Sequence, residues 1–220
     1  MKSTRIVNVG RRYDVSGLIE AQYEPGSRGR VLRNKPGIRS RRRMDDAEAL
    51  ALQQAMDALV RKYDQEHRFT AADIRRIHAL WLRGIYAWAG EYRQVNISKG
   101  GFPFASAALV PSLMQKLERG ALARLTPCRF AGRGGVASAL AQVHVELVLI
   151  HPFREGNGRL ARILSTLMAL QAGLPLLDFN PMAGRGTKAY FAAIQAGLDR
   201  NYAPMERIFS AIIGRSPGPI

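Results

Sequence analysis

The sequence predicts an all-α domain interrupted by one short β-hairpin flap. Apolar residues recur at helical spacing in six or seven separate stretches, as in Ile74, Ile77, Trp81 and Leu82. Only one region, Gln94 to Phe104, has strand-like residues folded about a glycine pair, Gly100-Gly101. No repeat or low-complexity segment appears, and 220 residues suffice for one sizeable core.

Taken in order, Met1 to Arg12 has no periodic apolar pattern and reads as a tail ordered on contact. Residues 13–21 can form one or two helical turns. Glu24 to Met44 is a Gly/Pro/Arg-rich connector with eight basic residues between Arg28 and Arg43 and no acid. A helix is expected from Asp45, whose side chain can cap while Glu48 reaches back, through Leu50, Leu52, Met56 and Leu59 to about Tyr63. Thr70 with Asp73 marks the next start, and that stripe runs to Ile85 with His78 inside it as a satisfied core histidine. The hairpin follows: Gln94 to Ile97, a turn at Lys99-Gly100-Gly101, and a return over Phe102-Pro103-Phe104. Pro111 opens a helix through Leu122, and residues 125–135 read as loop. Val136 to Ile150 is helical, with His144 as a buried hydrogen-bonding residue. A further helix runs to Ala172 and stops at Gly173. Helices near Thr187–Leu198 and Pro204–Ile213 close the chain. The expected division is an N-terminal segment over 1–44, a core over 45–214 and a tail over 215–220.

The net charge of +16 favours acidic protein surfaces, nucleotides, nucleic acid or anionic membranes. Base-reading modules need a helix or aromatic platform that the Arg28–Arg43 stretch lacks, so it reads as a solvated basic strap. Cys128 is the single cysteine, which excludes an intramolecular disulfide framework and a multi-Cys metal site. The start lacks the apolar stretch of a signal peptide, and apolar runs such as Leu147 to Ile150 are short. The expectation is a cytoplasmic protein, or a secreted effector without a classical signal, and no membrane span.

The chemistry concentrates in His151-Pro-Phe-Arg-Glu-Gly-Asn-Gly-Arg-Leu-Ala-Arg162, between two apolar helices. Pro152 cannot continue the incoming helix, and Gly156 and Gly158 lack the Cβ that would keep a bulky anion from the backbone. Small residues opening a helix offer free N–H groups and a positive dipole end, a ready anion site. His151, with an ordinary pKa near neutrality, can take a proton from a hydroxyl. Glu155 is a hard oxygen ligand suited to Mg²⁺ whose shell phosphates complete. Asn157 can donate to a phosphate oxygen, and Arg159 and Arg162, three apart, share a helix face and can fork onto phosphates.

This run resembles the complete signature of the Fic (filamentation induced by cAMP) family. The resemblance implies transfer of a nucleotide monophosphate, usually AMP from Mg-ATP, to a Ser, Thr or Tyr hydroxyl of a target protein, with release of pyrophosphate. It implies His151 as base, Glu155 as Mg²⁺ ligand, Gly156, Asn157 and Gly158 as the α-phosphate cradle, and Arg159 and Arg162 on the outer phosphates. The Doc branch, which phosphorylates instead, carries Lys where this chain has Gly158; the room left there favours adenylylation. Arg33-Asn-Lys-Pro-Gly-Ile38 is similar to a lead-in segment of many Fic domains, and Trp88 to Arg93 to the linker into the family's flap. The flap, here Ile97, Ser98, Lys99, Gly100, Gly101 and Phe102, would by that resemblance pair with an extended stretch of the target. Ser16-Gly-Leu-Ile-Glu20 resembles the family's inhibitory helix, in which Glu20 would pair with Arg162 and displace the γ-phosphate, although Ala21 stands where Gly or Asn is expected. If Glu20 is inert, the partner expected is a small antitoxin supplying such a helix, as in a toxin–antitoxin pair. The alternative function is a basic nucleic-acid- or protein-binding module on a catalytically silent scaffold of this kind.

Overall fold

The computed structural model describes residues 5–6 and 17–215. The described elements are β1 (Arg5–Ile6), α1 (Arg41–Lys62), α2 (Ala71–Leu82), β2 (Ile97–Lys99), β3 (Phe102–Pro103), α3 (Val110–Leu117), α4 (Ala123–Leu125), α5 (Gly132–Ile150), α6 (Asn157–Gln171), α7 (Thr187–Ala196) and α8 (Ala203–Arg215). A π turn over Glu118–Leu122 joins α3 to α4. The expected helical class with one flap therefore stands.

α5 and α6 form the centre. Leu140, Ala141, Val145 and Leu147 of α5 and Leu160, Met168 and Ala169 of α6 are sealed from solvent, with α8 packed across α5 through Phe209 and Ile212. α5 is long and apolar enough by composition to cross a membrane, unlike the short runs expected, yet most of it is buried among neighbouring helices. Its apolar character is that of a central helix in the core.

Local signals set the boundaries. Thr70 caps α2 in a reciprocal box with Asp73, as expected, and Pro111 sits in the first turn of α3. Gly173, with φ of 73°, follows the end of α6. Two starts differ from expectation. α1 begins at Arg41, because Ser40 accepts from the Arg43 N–H and extends the helix back into the basic connector. Glu48 is therefore not a cap but a mid-helix carboxylate, 1% exposed. α5 begins at Gly132, so the glycines expected in a loop form its first turn.

The connector is ordered by side-chain bonds. Asn34 donates to the carbonyls of Leu32 and Ile38 (both 2.9 Å) and accepts from the Ile38 N–H (2.8 Å). Lys35 ties it to the segment that follows α2 through the carbonyls of Arg83 and Ile85. The flap is larger than a hairpin. β1 adds a third antiparallel strand in the order β1-β2-β3, with Arg5 opposite Ser98 and Ile6 opposite Ile97.

Candidate active site

The turn between α5 and α6 starts with a strained residue. His151 caps α5 at φ 51°, ψ 60°, a left-handed conformation that a residue with a Cβ adopts only when its surroundings impose it. Pro152 prevents the helix from continuing. The main imposing group is Arg93, 1% exposed, which donates from Nε to the His151 carbonyl (2.7 Å) and from Nη1 to that of Val95 (2.8 Å). Its Nη2 donates to the carbonyls of Ala105 and Ile150, and its N–H to that of Pro152. One guanidinium thus ties the His151 backbone to both roots of the flap.

The imidazole is fixed as well. Nδ1 lies 2.9 Å from the Val148 carbonyl, so it carries the proton and leaves Nε2 as the unprotonated nitrogen. Phe104, whose N–H donates to the Ile97 carbonyl, stacks on the ring at 3.5 Å between centroids. Burial pushes the His151 pKa down to about 3, with the Arg93 and Lys99 cations pushing the same way against the Val148 bond. The near-neutral pKa expected from sequence does not hold, because the flap and α5 remove the ring from water.

The cradle follows at the start of α6. Gly156 is its N-cap at φ 84°, and a Cβ there would meet the Trp81 ring at 2.9 Å, so both backbone and space require glycine. At Gly158 a Cβ would meet nothing within 4 Å, and that room faces the cleft. Asn157 departs from expectation. Its side chain accepts from the Phe153 N–H (2.9 Å) and donates to the Phe153 carbonyl (2.7 Å), so the amide locks the turn, leaving the backbone N–H groups of the first helical turn to meet an anion. His78 braces the same turn: it accepts from the Gly90 N–H, donates to the Glu155 carbonyl, and stacks on Phe153 at 3.9 Å.

One cleft of about 860 Å³ joins these groups. His151, Glu155, Gly156, Asn157, Gly158, Arg159 and Arg162 line it, with Lys99, Gly100 and Phe102 of the flap and Tyr190, Phe191 and Ile194 of α7. Ile97, Ser98 and Gly101 do not line it; the Ile97 side chain is buried at the base of β2. The Glu155 carboxylate accepts from the Gly156 N–H (2.9 Å) and lies 3.7 Å from Arg159. Arg162 makes no ion pair with any described residue; burial lowers its pKa, Tyr190 acting in the opposite direction. Burial also lowers the Lys99 pKa, opposed by Glu155 and reinforced by Arg162, Arg159 and Arg41. Cations gathered beside a helix N-terminus suit a polyanion.

The expected Glu20–Arg162 pair is absent. Glu20, 5% exposed, accepts from the Gln94 N–H at 2.6 Å, and its charged neighbours are Arg154 and Arg93. Arg154 Nε donates to the Glu20 carbonyl at 3.0 Å. The described part of the expected helix is one 3₁₀ turn, Ile19–Ala21, which delivers the carboxylate to the flap root instead of the cleft. Ser16 lies outside the described residues.

Two residues that contact the cleft lining are not singled out by the sequence, Arg93 and Glu48. Arg93 looked like part of a linker, since nothing in its neighbours predicts burial. Glu48 was placed in a capping box, yet its Oε2 meets Arg159 Nη2 at 2.6 Å while its Oε1 accepts from the Tyr86 hydroxyl at 2.6 Å. The usable signal was a carboxylate at a position where the α1 period asks for an apolar residue.

Residues 68–169 match the Fic/DOC family. The chain is 31% identical over 196 residues to the probable protein adenylyltransferase Fic of Escherichia coli, covering 84% of this chain and 89% of that protein. Its fold matches the BepC protein of Bartonella tribocorum, solved with bound AMPPNP, at a TM-score of 0.69 and 25% identity, over 82% of this chain and 91% of that one. It also matches the N-terminal Fic domain of a Bartonella quintana cell filamentation protein, solved with bound ADP, at 0.68 and 27% identity, over 82% and 89%. With the signature turn folded around an open anion cradle and that extent of similarity, the chain belongs to the Fic/DOC family.

Proposed function

We propose that the chain is a protein adenylyltransferase, moving AMP from ATP to a hydroxyl of a target protein. The observation that carries this is a neutral imidazole whose Nε2 has no hydrogen-bond partner among the described residues, in one cleft with a helix N-terminus and with Arg162, which no described carboxylate pairs. The triphosphate lies along the first turn of α6, where N–H groups meet the α-phosphate and Arg159, Arg162 and Lys99 take the outer charges. In this reading the adenine packs against the α7 wall of Tyr190, Phe191 and Ile194. The acceptor oxygen attacks the α-phosphorus, the bond to the β-phosphate oxygen breaks, and pyrophosphate leaves. The proton passes to Nε2 of His151.

Glu155 fits a Mg²⁺ role because it is a hard oxygen donor in the cleft. Phosphate oxygens would complete its shell, and the ion would neutralise charge on the leaving group. The acceptor arrives on the flap, whose Phe104 lies on His151. With Glu20 turned away, restraint falls to a separate small antitoxin presenting a carboxylate to Arg162.

His151→Ala should abolish transfer of labelled AMP while ATP binding stays within about threefold of the unaltered protein, because the ring supplies the base and no phosphate contact. Unchanged transfer would reject this function.

A further inference from the structure

The flap sheet has two outer edges, and the chain's own N-terminal strand already fills the one able to pair. Phe104 donates to the Ile97 carbonyl at 3.2 Å, so β2 turns the backbone groups of Ile97 toward β3. Alternate residues of an antiparallel strand face opposite sides, so the N–H and C=O of Ser98 face away from β3. Pro103, the β3 residue opposite Ser98, would turn its own N–H outward but has none. The β3 edge therefore lacks a donor, and Ser98 on β2 marks the competent edge. Arg5 lies opposite Ser98 and Ile6 opposite Ile97 on that edge.

This edge adjoins the base. Lys99, next to Ser98, lines the cleft with His151, and the Ile97 carbonyl holds Phe104 against the imidazole. A second contact binds the N-terminal region to the start of the same edge, where the Glu20 carboxylate accepts from the Gln94 N–H. The two anchors differ in strength. Glu20 is buried and is held at its carbonyl by Arg154, whereas among the described residues β1 meets β2 at two positions, and a two-residue pairing adds little stability by itself.

We propose that the Arg5–Ile6 strand is a displaceable occupant of the acceptor-docking edge. An acceptor must present an extended segment with free N–H groups, free of proline at the pairing positions, and must exchange with β1. A tethered strand competes at an effective concentration on the order of 1 mM, so only segments that pair better than β1 gain the edge. The proposal rests on the reading of the flap as the acceptor's docking surface.

The test needs no nucleotide, so its failure is separate from failure of AMP transfer. A fluorescent peptide of residues 1–12 is titrated against the full chain and against the Arg5→Pro/Ile6→Pro double variant, with anisotropy as the readout. The variant should bind about tenfold more tightly, because its own strand no longer competes. By hydrogen exchange, the Ser98 amide should be protected in the unaltered chain, exposed in the variant, and protected again by saturating peptide. Equal affinity, or no binding to either protein, overturns the proposal. Should the variant not fold, exchange of Ser98 in the unaltered chain as fast as an unstructured amide also overturns it.

Discussion

Glu48 of α1 and Arg159 of α6 form an ion pair at 2.6 Å, one turn into the helix that Gly156 caps. Arg159 also lies over the Trp81 ring at 4.8 Å, and the same ring sets the space at Gly156. The Trp81 indole donates to the Glu48 carbonyl, and the Tyr86 hydroxyl to its carboxylate. Glu48 thus fixes both the guanidinium and the aromatic floor beneath the glycine turn. A charge held in place before the ligand arrives costs no reorganisation when phosphate binds.

Glu48→Gln keeps the shape and removes the charge. It should raise the KM for ATP about tenfold, near 1.4 kcal/mol, with a smaller change in kcat. If Glu48 acts through Arg159, the effect disappears in an Arg159→Ala background. Additive losses in the double variant would show that the carboxylate serves the fold alone.

Gly156 and Gly158 differ sharply despite their shared place in the motif. Gly156→Ala forces a Cβ toward Trp81 at a positive φ and should cost about 1–3 kcal/mol of stability, read from urea midpoints, together with loss of ATP binding. Gly158→Ala meets no neighbour within 4 Å, so stability should hold within about 0.5 kcal/mol while nucleotide affinity falls as the added methyl enters the cleft. Equal destabilisation by both would contradict the space found around the turn.

The helical class, the α2 cap, the Gly173 stop and the convergence of His151, Glu155 and the two arginines on one cleft were legible because each depends on neighbours close in sequence. What escaped depends on distant partners. The Asn157 amide turns to Phe153 because the turn closes on itself, and Glu20 reaches Gln94 because the N-terminal segment crosses the flap root. The low His151 pKa comes from burial under the flap and from Arg93, 58 residues away in sequence. A motif identifies chemical groups, whereas their protonation and pairing come from the packing around them.

Arg93 couples the flap to His151 through backbone carbonyls, and burial lowers its pKa to about 10, opposed by Glu20, so it remains charged. Arg93→Met keeps much of the volume but leaves several buried carbonyls without a donor. It should cost about 3 kcal/mol or more and release His151 from its left-handed conformation, lowering kcat more than ATP affinity. Arg93→Lys should recover little of either, because an ammonium cannot span carbonyls on both sides of a planar fork. Recovery of full transfer by the lysine variant would show that only charge matters here.

Acid stability gives the last test. Burial pushes His78 down to about 4, and His144 and His151 to about 3, from an ordinary value of 6.5. The unfolded chain binds these protons near 6.5 and the folded chain does not. Stability is therefore full above about pH 6.5 and falls as pH drops toward the folded values, by up to about 4 kcal/mol per pH unit when all three contribute. Urea midpoints should fall steeply between pH 6.5 and 4.5, and His144→Asn should remove roughly one proton from that slope while shifting its contacts with Ser165 and Tyr190. Because His151 stays neutral until the fold gives way, kcat/KM should lose activity along the unfolding curve, without a separate step near 6.5. A midpoint that stays flat over this range would mean that the three imidazoles remain accessible to protons in the folded protein.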